Sequence, residues 1–298
     1  MTEILVVHTG GTIGMVPGPD GLAPAAGVVE RAVAVLAPAG AHVTVRAFDP
    51  LVDGAEIGPE HWNRIIDLVA AFDGAGVVVT HGTDTMAYTG AALARALAGI
   101  ATPVVLCGAM KPLNTGGDAE GNLRQALEAA HRGEAGVWLA FAGRLLPAAG
   151  LVKHHSQRPN SFRSMPQPPQ PGPYRPRRFG AARLAILTLS PGMPVPALAA
   201  MLDELDGAVL RIYGTGTAMS DPALETVLAS AVRRGCRIRA VSQCEAGGLS
   251  PGTYSAGAAL WRAGVENGGS ETPEAALARL WIEMPGCADA GDDRRQPG

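Results

Sequence analysis

The sequence predicts an α/β protein with a larger N-terminal domain, built on a doubly wound parallel sheet, and a smaller C-terminal α/β domain. Short apolar runs alternate with helix-length amphipathic segments, which is typical of parallel strands joined by crossover helices. The length of 298 residues exceeds the usual size of one domain. A proline-rich stretch past the middle interrupts the alternation and indicates where the two domains meet.

The first half contains four short apolar runs, and a segment with one apolar face follows each of them. The strands are predicted at residues 4–8, 43–48, 76–80 and 104–108. The helices are predicted at residues 28–36, 59–69, 87–97 and 122–130. Four successive strand–helix units predict a sheet with helices on both faces.

The proline-rich stretch, SMPQPPQPGPYRPRR at 164–178, excludes a helix and disfavours a central strand. We therefore predict a larger N-terminal α/β domain at 1–163, a linker at 164–181 and a smaller C-terminal α/β domain at 182–298. Beyond the linker, strands are predicted at 184–189, 208–212 and 237–241. The polar residues from 288 onward are predicted to be a frayed tail.

Composition favours a small molecule as the partner. The formal net charge of −3 is spread over both signs, which gives no electrostatic reason to expect nucleic acid or an anionic membrane.

The apolar runs fall short of the ~20 residues that a bilayer span requires. The N-terminus lacks the pattern of a secretory signal, which favours the cytoplasm. The four cysteines lack metal-site spacing and are predicted to be single buried thiols.

Two unusual segments lie where parallel strands are predicted to end. The segment HTGGTIGM follows the first strand, and its paired glycines allow a tight turn that presents the hydroxyl of Thr12. The segment HGTDTM follows another strand and places Thr83 and Asp84 just before a helix, where N–H groups can hold an anion. Ligands of parallel sheets collect at this edge of the sheet.

Each segment also has a purely structural interpretation. The TGGT turn could be a glycine turn with a capping threonine, and Thr83 with Asp84 could be only a helix N-cap. His8 and His81 precede the two turns, but no GxSxG elbow accompanies them, and a histidine at a strand end is more often a structural group. Neither nucleotide-binding glycine pattern is matched, which argues against a nucleotide site.

Together, the two segments resemble the signature pair of the bacterial-type L-asparaginases, almost letter for letter in HTGGTIGM and VVTHGTDTMAYTG. The resemblance extends from the first strand to about residue 279 and is closest to the cytoplasmic type I branch. Further matches are Gly108-Ala109-Met110, Asp118, Asn122, Lys153 and the run SQC at 242–244.

The resemblance implies roles for nine residues. The catalytic residues would be Thr12, Thr83, Asp84 and Lys153. The substrate-binding residues would be Gly11, Gly54, Ala55, Gly82 and Ala109. The hydroxyl of Thr12 would attack a side-chain amide, the N–H of Thr83 would stabilise the oxyanion, and the carbonyl of Ala109 would accept from the leaving nitrogen. In the family, the lysine keeps the second threonine polarised and the aspartate holds the α-ammonium group of the substrate.

Physical chemistry supports a cation beside these hydroxyls. A threonine hydroxyl is a weak nucleophile at neutral pH, and it needs an adjacent base or a cation that stabilises its alkoxide. Lys153 can supply that group. Without the other motifs, a solvated surface lysine would be the better interpretation of this residue.

Three regions depart from the family pattern. One is the segment YGTGT at 213–217, which replaces a segment that commonly carries an asparagine reaching the site of a neighbouring subunit. The loop after the first motif usually carries a tyrosine that assists the nucleophile, and Leu22 stands there. The family holds the α-carboxylate of the substrate with a serine and a neighbouring polar side chain, and these positions are Gly54 and Ala55. The departures suggest intact amide chemistry on a changed substrate, or weak activity.

The sequence as a whole predicts an amidohydrolase for L-asparagine or a related small amide, acting through an acyl-enzyme without a cofactor or metal. Adjacent histidines at 154 and 155 point in different directions on a regular backbone and are not expected to bind a metal. The resemblance implies a homodimer or homotetramer. The alternative is a catalytically impaired homologue that binds an amino acid or amide as a sensor or scaffold.

Overall fold

The computed structural model describes residues 2–19, 21–170, 172–287 and 289. The chain forms two units, one of residues up to 164 with 169–179, the other of residues 165–168 and 180–287. The first unit contains the strands β1 (Thr2–Gly10), β2 (Met15–Gly18), β3 (Gly21–Pro24), β4 (Ala41–Val52), β5 (Gly76–Thr80), β6 (Pro103–Cys107), β7 (Gly136–Phe141), β8 (Arg144–Pro147), β9 (Leu151–Lys153) and β10 (Phe162–Ser164). Its helices are α1 (Val28–Leu36), α2 (Pro59–Ala70), α3 (Met86–Ala96) and α4 (Ala119–Arg132).

Six strands of the first unit form one sheet in the order β4-β1-β5-β6-β7-β8, parallel except for β8, which runs antiparallel to β7. The strands β5 and β6 are buried along their whole length. Their near-continuous apolar runs are typical of parallel strands that are covered on both faces.

Helices cover both faces of this sheet. Apolar residues of α1 and α4 share one core cluster with Val105 of β6. Residues of α3 share another cluster with Leu106, the next residue of the same strand. Because successive side chains of a strand point to opposite faces, the two clusters lie on opposite sides of the sheet. The prediction of a doubly wound sheet is therefore confirmed.

The second unit is a smaller α/β layer. It contains β11 (Leu184–Thr188), β12 (Gly207–Ile212), β13 (Arg237–Ser242) and β14 (Glu266–Asn267), which form a parallel sheet in that order. Its helices are α5 (Val195–Asp203), α6 (Pro222–Arg233), α7 (Ala258–Arg262) and α8 (Pro273–Glu283). Leucines of α5 and α6 share one core cluster with alternate residues of β12.

All eleven predicted strands and helices are present. The predictions for β5 and α1 match to the residue, and the ends of the other elements differ by about four residues or fewer. The prediction omits β7 and β8, the hairpin β2–β3, the hairpin β9–β10, and β14.

The proline-rich stretch forms no helix or strand between residues 165 and 170 or between 172 and 183. Its end is fixed to the first unit. The side chain of Asn63 donates to the carbonyl of Phe179 and accepts from its N–H, and Arg178 forms an ion pair with Asp67. The indole of Trp62 meets the Phe179 ring edge-on, with 5.3 Å between centroids. The bounds predicted for the two domains and the linker, 1–163, 164–181 and 182–298, stay a prediction.

The cysteine prediction is partly wrong. All four thiols are free, and Cys107 and Cys236 are buried as expected. Cys244 is exposed, because it follows β13 in the loop beyond the sheet, and Cys287 is half-buried. Apart from Asp289, the predicted tail from residue 288 lies outside the described residues. No helix in the described part of the chain is long and apolar enough to cross a bilayer.

Candidate active site

The two sequence motifs meet at the point where the strand order reverses. The chain passes from β1 to β4 on one side and then returns to β5 on the other side of β1. The loops that follow β1 and β5 therefore leave the same edge of the sheet as neighbours. A crevice at such a switch point is the usual ligand site of an open parallel sheet.

Three glycines let the loops at this edge approach backbone to backbone. A Cβ on Gly11 would lie 2.5 Å from the amide nitrogen of Gly82, and the φ angle of Gly11 is 83°. A Cβ on Gly82 would lie 2.7 Å from the Cα of Gly54. Side chains do not fit at these distances, so glycine is required at positions 11 and 82. The contact brings Thr12 and Thr83, the residues that follow two of these glycines, to one place.

Thr83 and Asp84 are both bound by Lys153. The ammonium group of Lys153 donates to the hydroxyl of Thr83 at 2.9 Å and to a carboxylate oxygen of Asp84 at 2.6 Å. The Lys153 side chain is 17% exposed and that of Asp84 is 76% exposed. An ion pair this open stabilises a fold by only about 0–1 kcal/mol. Its main effect is to hold a cation against the threonine hydroxyl.

The N-cap interpretation of Thr83 and Asp84 is wrong. Helix α3 begins at Met86 with Thr85 as its N-cap residue, and both preceding side chains bond to Lys153 instead. The hydroxyl of Thr85 donates to the carbonyl of Gly54. This bond fixes the loop after β4 to the loop after β5.

Thr12 begins a short 3-10 turn after β1 and is half-buried. Within the described residues, its hydroxyl makes no hydrogen bond, which leaves it available to a ligand. Three residues later the chain enters the hairpin β2–β3, which carries Leu22 with 48% of its surface exposed. Leu22 offers no hydroxyl to assist Thr12.

The loop after β6 is held rigidly, and it carries Ala109. The carboxylate of Asp118 accepts from the N–H groups of Met110, at 2.9 Å, and Lys111, at 3.0 Å. The amide of Asn122 donates to the carbonyl of Gly108 at 2.9 Å. Bonds on both sides of Ala109 fix the direction of its own carbonyl group.

The loop at Gly54 and Ala55 presents no side chain that can hold an anion. The N–H of Ala55 donates to the carboxylate of Asp53 at 2.9 Å, and the N–H of Ile57 donates to the carbonyl of Gly54. A serine at position 54 would be crowded, because its Cβ would lie 3.0 Å from the Cα of Gly82. The structure therefore leaves the predicted carboxylate position without a donor side chain from residues 54 and 55.

His81 forms a buried network behind the second motif that the sequence did not predict. Its Nδ1 atom lies 2.7 Å from the carbonyl oxygen of Gly82, and its Nε2 atom lies 2.8 Å from the hydroxyl of Thr89. That hydroxyl accepts a bond of 2.9 Å from the indole of Trp62. Burial lowers the pKa of His81 to about 4 and keeps the ring neutral at pH 7.

Within the described residues, no group of three or more histidine, cysteine, aspartate and glutamate side chains could hold a metal ion. His155, one of the adjacent histidine pair, accepts from the backbone N–H groups of Gln157 and Arg158. His8 is also buried, and its Nδ1 lies 2.7 Å from the hydroxyl of Thr80. Burial lowers the pKa of His8 as well.

Comparison with known proteins identifies two family domains in the chain. Residues 3–171 match the family model described as asparaginase, N-terminal, and residues 183–284 match the glutaminase/asparaginase C-terminal domain. The chain is 32% identical to L-asparaginase 1 of Escherichia coli strain K12, over 93% of this chain and 90% of that protein.

Two solved structures are similar over nearly the whole chain. The thermostable L-asparaginase from Thermococcus kodakarensis has a TM-score of 0.83 at 30% identity, over 94% of this chain and 92% of that one. The L-asparaginase I from Vibrio cholerae has a TM-score of 0.83 at 29% identity, with the same coverage of both chains.

The buried imidazole of His81 makes stability depend on pH. Between pH 6.5 and about 4, the unfolded chain binds a proton at this residue that the folded protein does not bind. Protons therefore favour unfolding, and the free energy of unfolding should fall as the pH decreases. From pH 7 to pH 5 the contribution of His81 should be about 2 kcal/mol, measurable by chemical denaturation.

The variant His81→Leu should show a smaller pH dependence of unfolding than the wild type. The matched control is His42→Leu, which removes a histidine at an exposed position. An equal pH dependence in the wild type and in His81→Leu would show that the imidazole is not held neutral by the fold.

Proposed function

The chain belongs to the asparaginase family of amidohydrolases, and we propose that it hydrolyses L-asparagine, or a related small amide, to the acid and ammonia with Thr12 as nucleophile. One observation carries this proposal. The ammonium group of Lys153 lies 2.9 Å from the hydroxyl of Thr83, beside the glycine contact that brings Thr12 to the same edge. A cation held against a hydroxyl in a crevice is typical of nucleophilic catalysis.

In the proposed reaction, the hydroxyl of Thr12 attacks the amide carbonyl and forms an ester with the acyl group. The oxyanion of the tetrahedral intermediate is stabilised by the N–H of Thr83. The proton of the Thr12 hydroxyl passes to the leaving nitrogen, which donates to the carbonyl of Ala109 and departs as ammonia. Water then attacks the ester, releases the acid and restores the threonine hydroxyl.

Asp84 and Lys153 have linked roles in this scheme. The exposed carboxylate of Asp84 faces solvent on one side, where a substrate ammonium group can replace part of its bond to Lys153. The ammonium group of Lys153, partly released from Asp84, would then lie closer to the hydroxyl oxygen of Thr83. Substrate binding and activation of the Thr83 hydroxyl would in this way occur together.

The subunit count belongs to the same proposal. By resemblance to the family, we propose a homodimer or homotetramer, which light scattering in solution would test. The sensor or scaffold alternative rests on Gly54, Ala55 and Leu22, which lack the polar groups of the family pattern. A catalytic assay with a panel of amides separates the two functions.

Replacing the nucleophile tests the central step. Thr12→Ala should remove nearly all ammonia release from asparagine while leaving the fold and substrate binding largely intact, because only a hydroxyl and a methyl group are lost. The control is Thr226→Ala, an exposed threonine of α6. A variant that keeps more than about a tenth of wild-type kcat, a difference of ~1.4 kcal/mol, would reject Thr12 as the nucleophile.

The lysine is tested by Lys153→Met, which keeps the volume of the aliphatic stem and removes the charge. We expect the loss of activity chiefly in kcat, because the charge of Lys153 acts on the hydroxyl of Thr83. Lys111→Met, at an exposed position, is the matched control. A change confined to KM would mean that Lys153 binds substrate and does not activate a hydroxyl.

The missing hydrogen-bond donor to the substrate carboxylate is tested with two substrates. 3-Aminopropanamide has the ammonium and amide groups of asparagine but no carboxylate. A hydrogen bond to a charged acceptor contributes about 1.5–3 kcal/mol, so a site without that donor should bind asparagine weakly. We expect a KM for asparagine well above that for 3-aminopropanamide. A KM for asparagine in the micromolar range or below would show that another group holds the carboxylate.

A further inference from the structure

The peptide bond between Gly82 and Thr83 is fixed from one side by His81. The imidazole Nδ1 lies 2.7 Å from the carbonyl oxygen of Gly82, and both residues are buried. This peptide is trans, so its carbonyl and its N–H point in opposite directions. The hydrogen bond that holds the carbonyl therefore turns the N–H of Thr83 away from His81.

The N–H of Thr83 has no acceptor among the described residues of the chain. It belongs to a residue that is almost wholly buried, with 8% of its surface exposed. A buried backbone N–H without a partner is destabilising and is rare in folded proteins. Such a group at the switch-point crevice is positioned to donate to a ligand.

The network behind His81 allows only one arrangement of protons. A carbonyl oxygen can only accept, so the Nδ1 atom must carry the single proton of the neutral ring. The Nε2 atom then accepts from the hydroxyl of Thr89, and the oxygen of that hydroxyl accepts from the indole N–H of Trp62. Each donor faces an acceptor along the whole series.

We infer that His81 is a positioning residue that orients and polarises the Gly82–Thr83 peptide, so that the N–H of Thr83 is fixed as the oxyanion donor. This inference rests on the proposed function, in which that N–H stabilises the tetrahedral intermediate. Bonds donated in series strengthen one another by only about 10–30% each, so the bond from His81 to Gly82 dominates and the relay of bonds from Trp62 and Thr89 adds little to the donor strength of the Thr83 N–H. The imidazole itself does not touch the substrate and transfers no proton.

The decisive comparison uses two substitutions of His81. Asparagine can place its amide nitrogen where Nδ1 lies and keep the bond to the carbonyl of Gly82, whereas leucine cannot. Removing an oxyanion donor costs about 10²–10³ in kcat, and a misdirected donor should cost less. We expect His81→Leu to lower kcat roughly 10- to 100-fold with little change in KM, and His81→Asn to stay within about threefold of the wild type.

Thr89→Val separates positioning from general loss of stability. This substitution removes a buried hydroxyl and leaves the indole of Trp62 without that acceptor, but it keeps the bond from His81 to Gly82. We expect a clear loss in thermal stability with kcat within about threefold of the wild type. Parallel losses of kcat in Thr89→Val and His81→Leu would mean that the network is only structural, and would overturn the inference.

The proton position is measured independently of turnover. In ¹⁵N NMR spectra of the histidine side chains, His81 should carry its proton on Nδ1 and should not titrate between pH 5 and 8. A proton on Nε2 would overturn the inference. The proposed function fails in a different way, namely if the wild type and Thr12→Ala release ammonia equally slowly. Turnover that depends on Thr12 but survives His81→Leu would refute the role of His81 alone.

Discussion

The candidate site depends on one constraint, the contact of three backbone segments at Gly11, Gly54 and Gly82. No Cβ atom fits on Gly11 or Gly82 without a shift of the opposing backbone. The contact is possible because β1 lies between β4 and β5 in the sheet, so the loops that follow all three strands leave the same edge. Glycine at these positions replaces side-chain packing with direct contact between the loops that carry the polar groups.

Separate elements hold the polar groups of the candidate site around this contact. Lys153 comes from the hairpin β9–β10 and binds Thr83, while Asp118 and Asn122 of the α4 region hold the loop that carries Ala109. His81 holds the peptide between Gly82 and Thr83 through the carbonyl of Gly82. Placing each group on a different rigid element fixes their relative positions more closely than one flexible loop could.

The strand–helix alternation was predictable, because buried parallel strands and amphipathic helices have clear periods in the sequence. The hairpin β2–β3 was not, because its glycines and prolines resemble a loop, whereas the apolar run of β7 contained enough signal to be found. The bond between Lys153 and Thr83 joins residues 70 positions apart, which spacing alone cannot reveal. His81 was missed because a buried histidine is usually structural, although Thr89 follows it by only eight positions, near the start of α3.

The attachment of the proline-rich stretch to α2 determines where the chain length can vary. Phe179 packs against Trp62, whose indole is the first donor of the relay to His81, and Arg178 is paired with Asp67 one turn further along the same helix. Residues 165–170 form no helix or strand, so an insertion there would be absorbed before the attachment point. A deletion just before Arg178 would instead pull on Phe179 and disturb the packing around Trp62. Insertions and deletions among homologues should therefore concentrate in the first part of this stretch and be rare at its end.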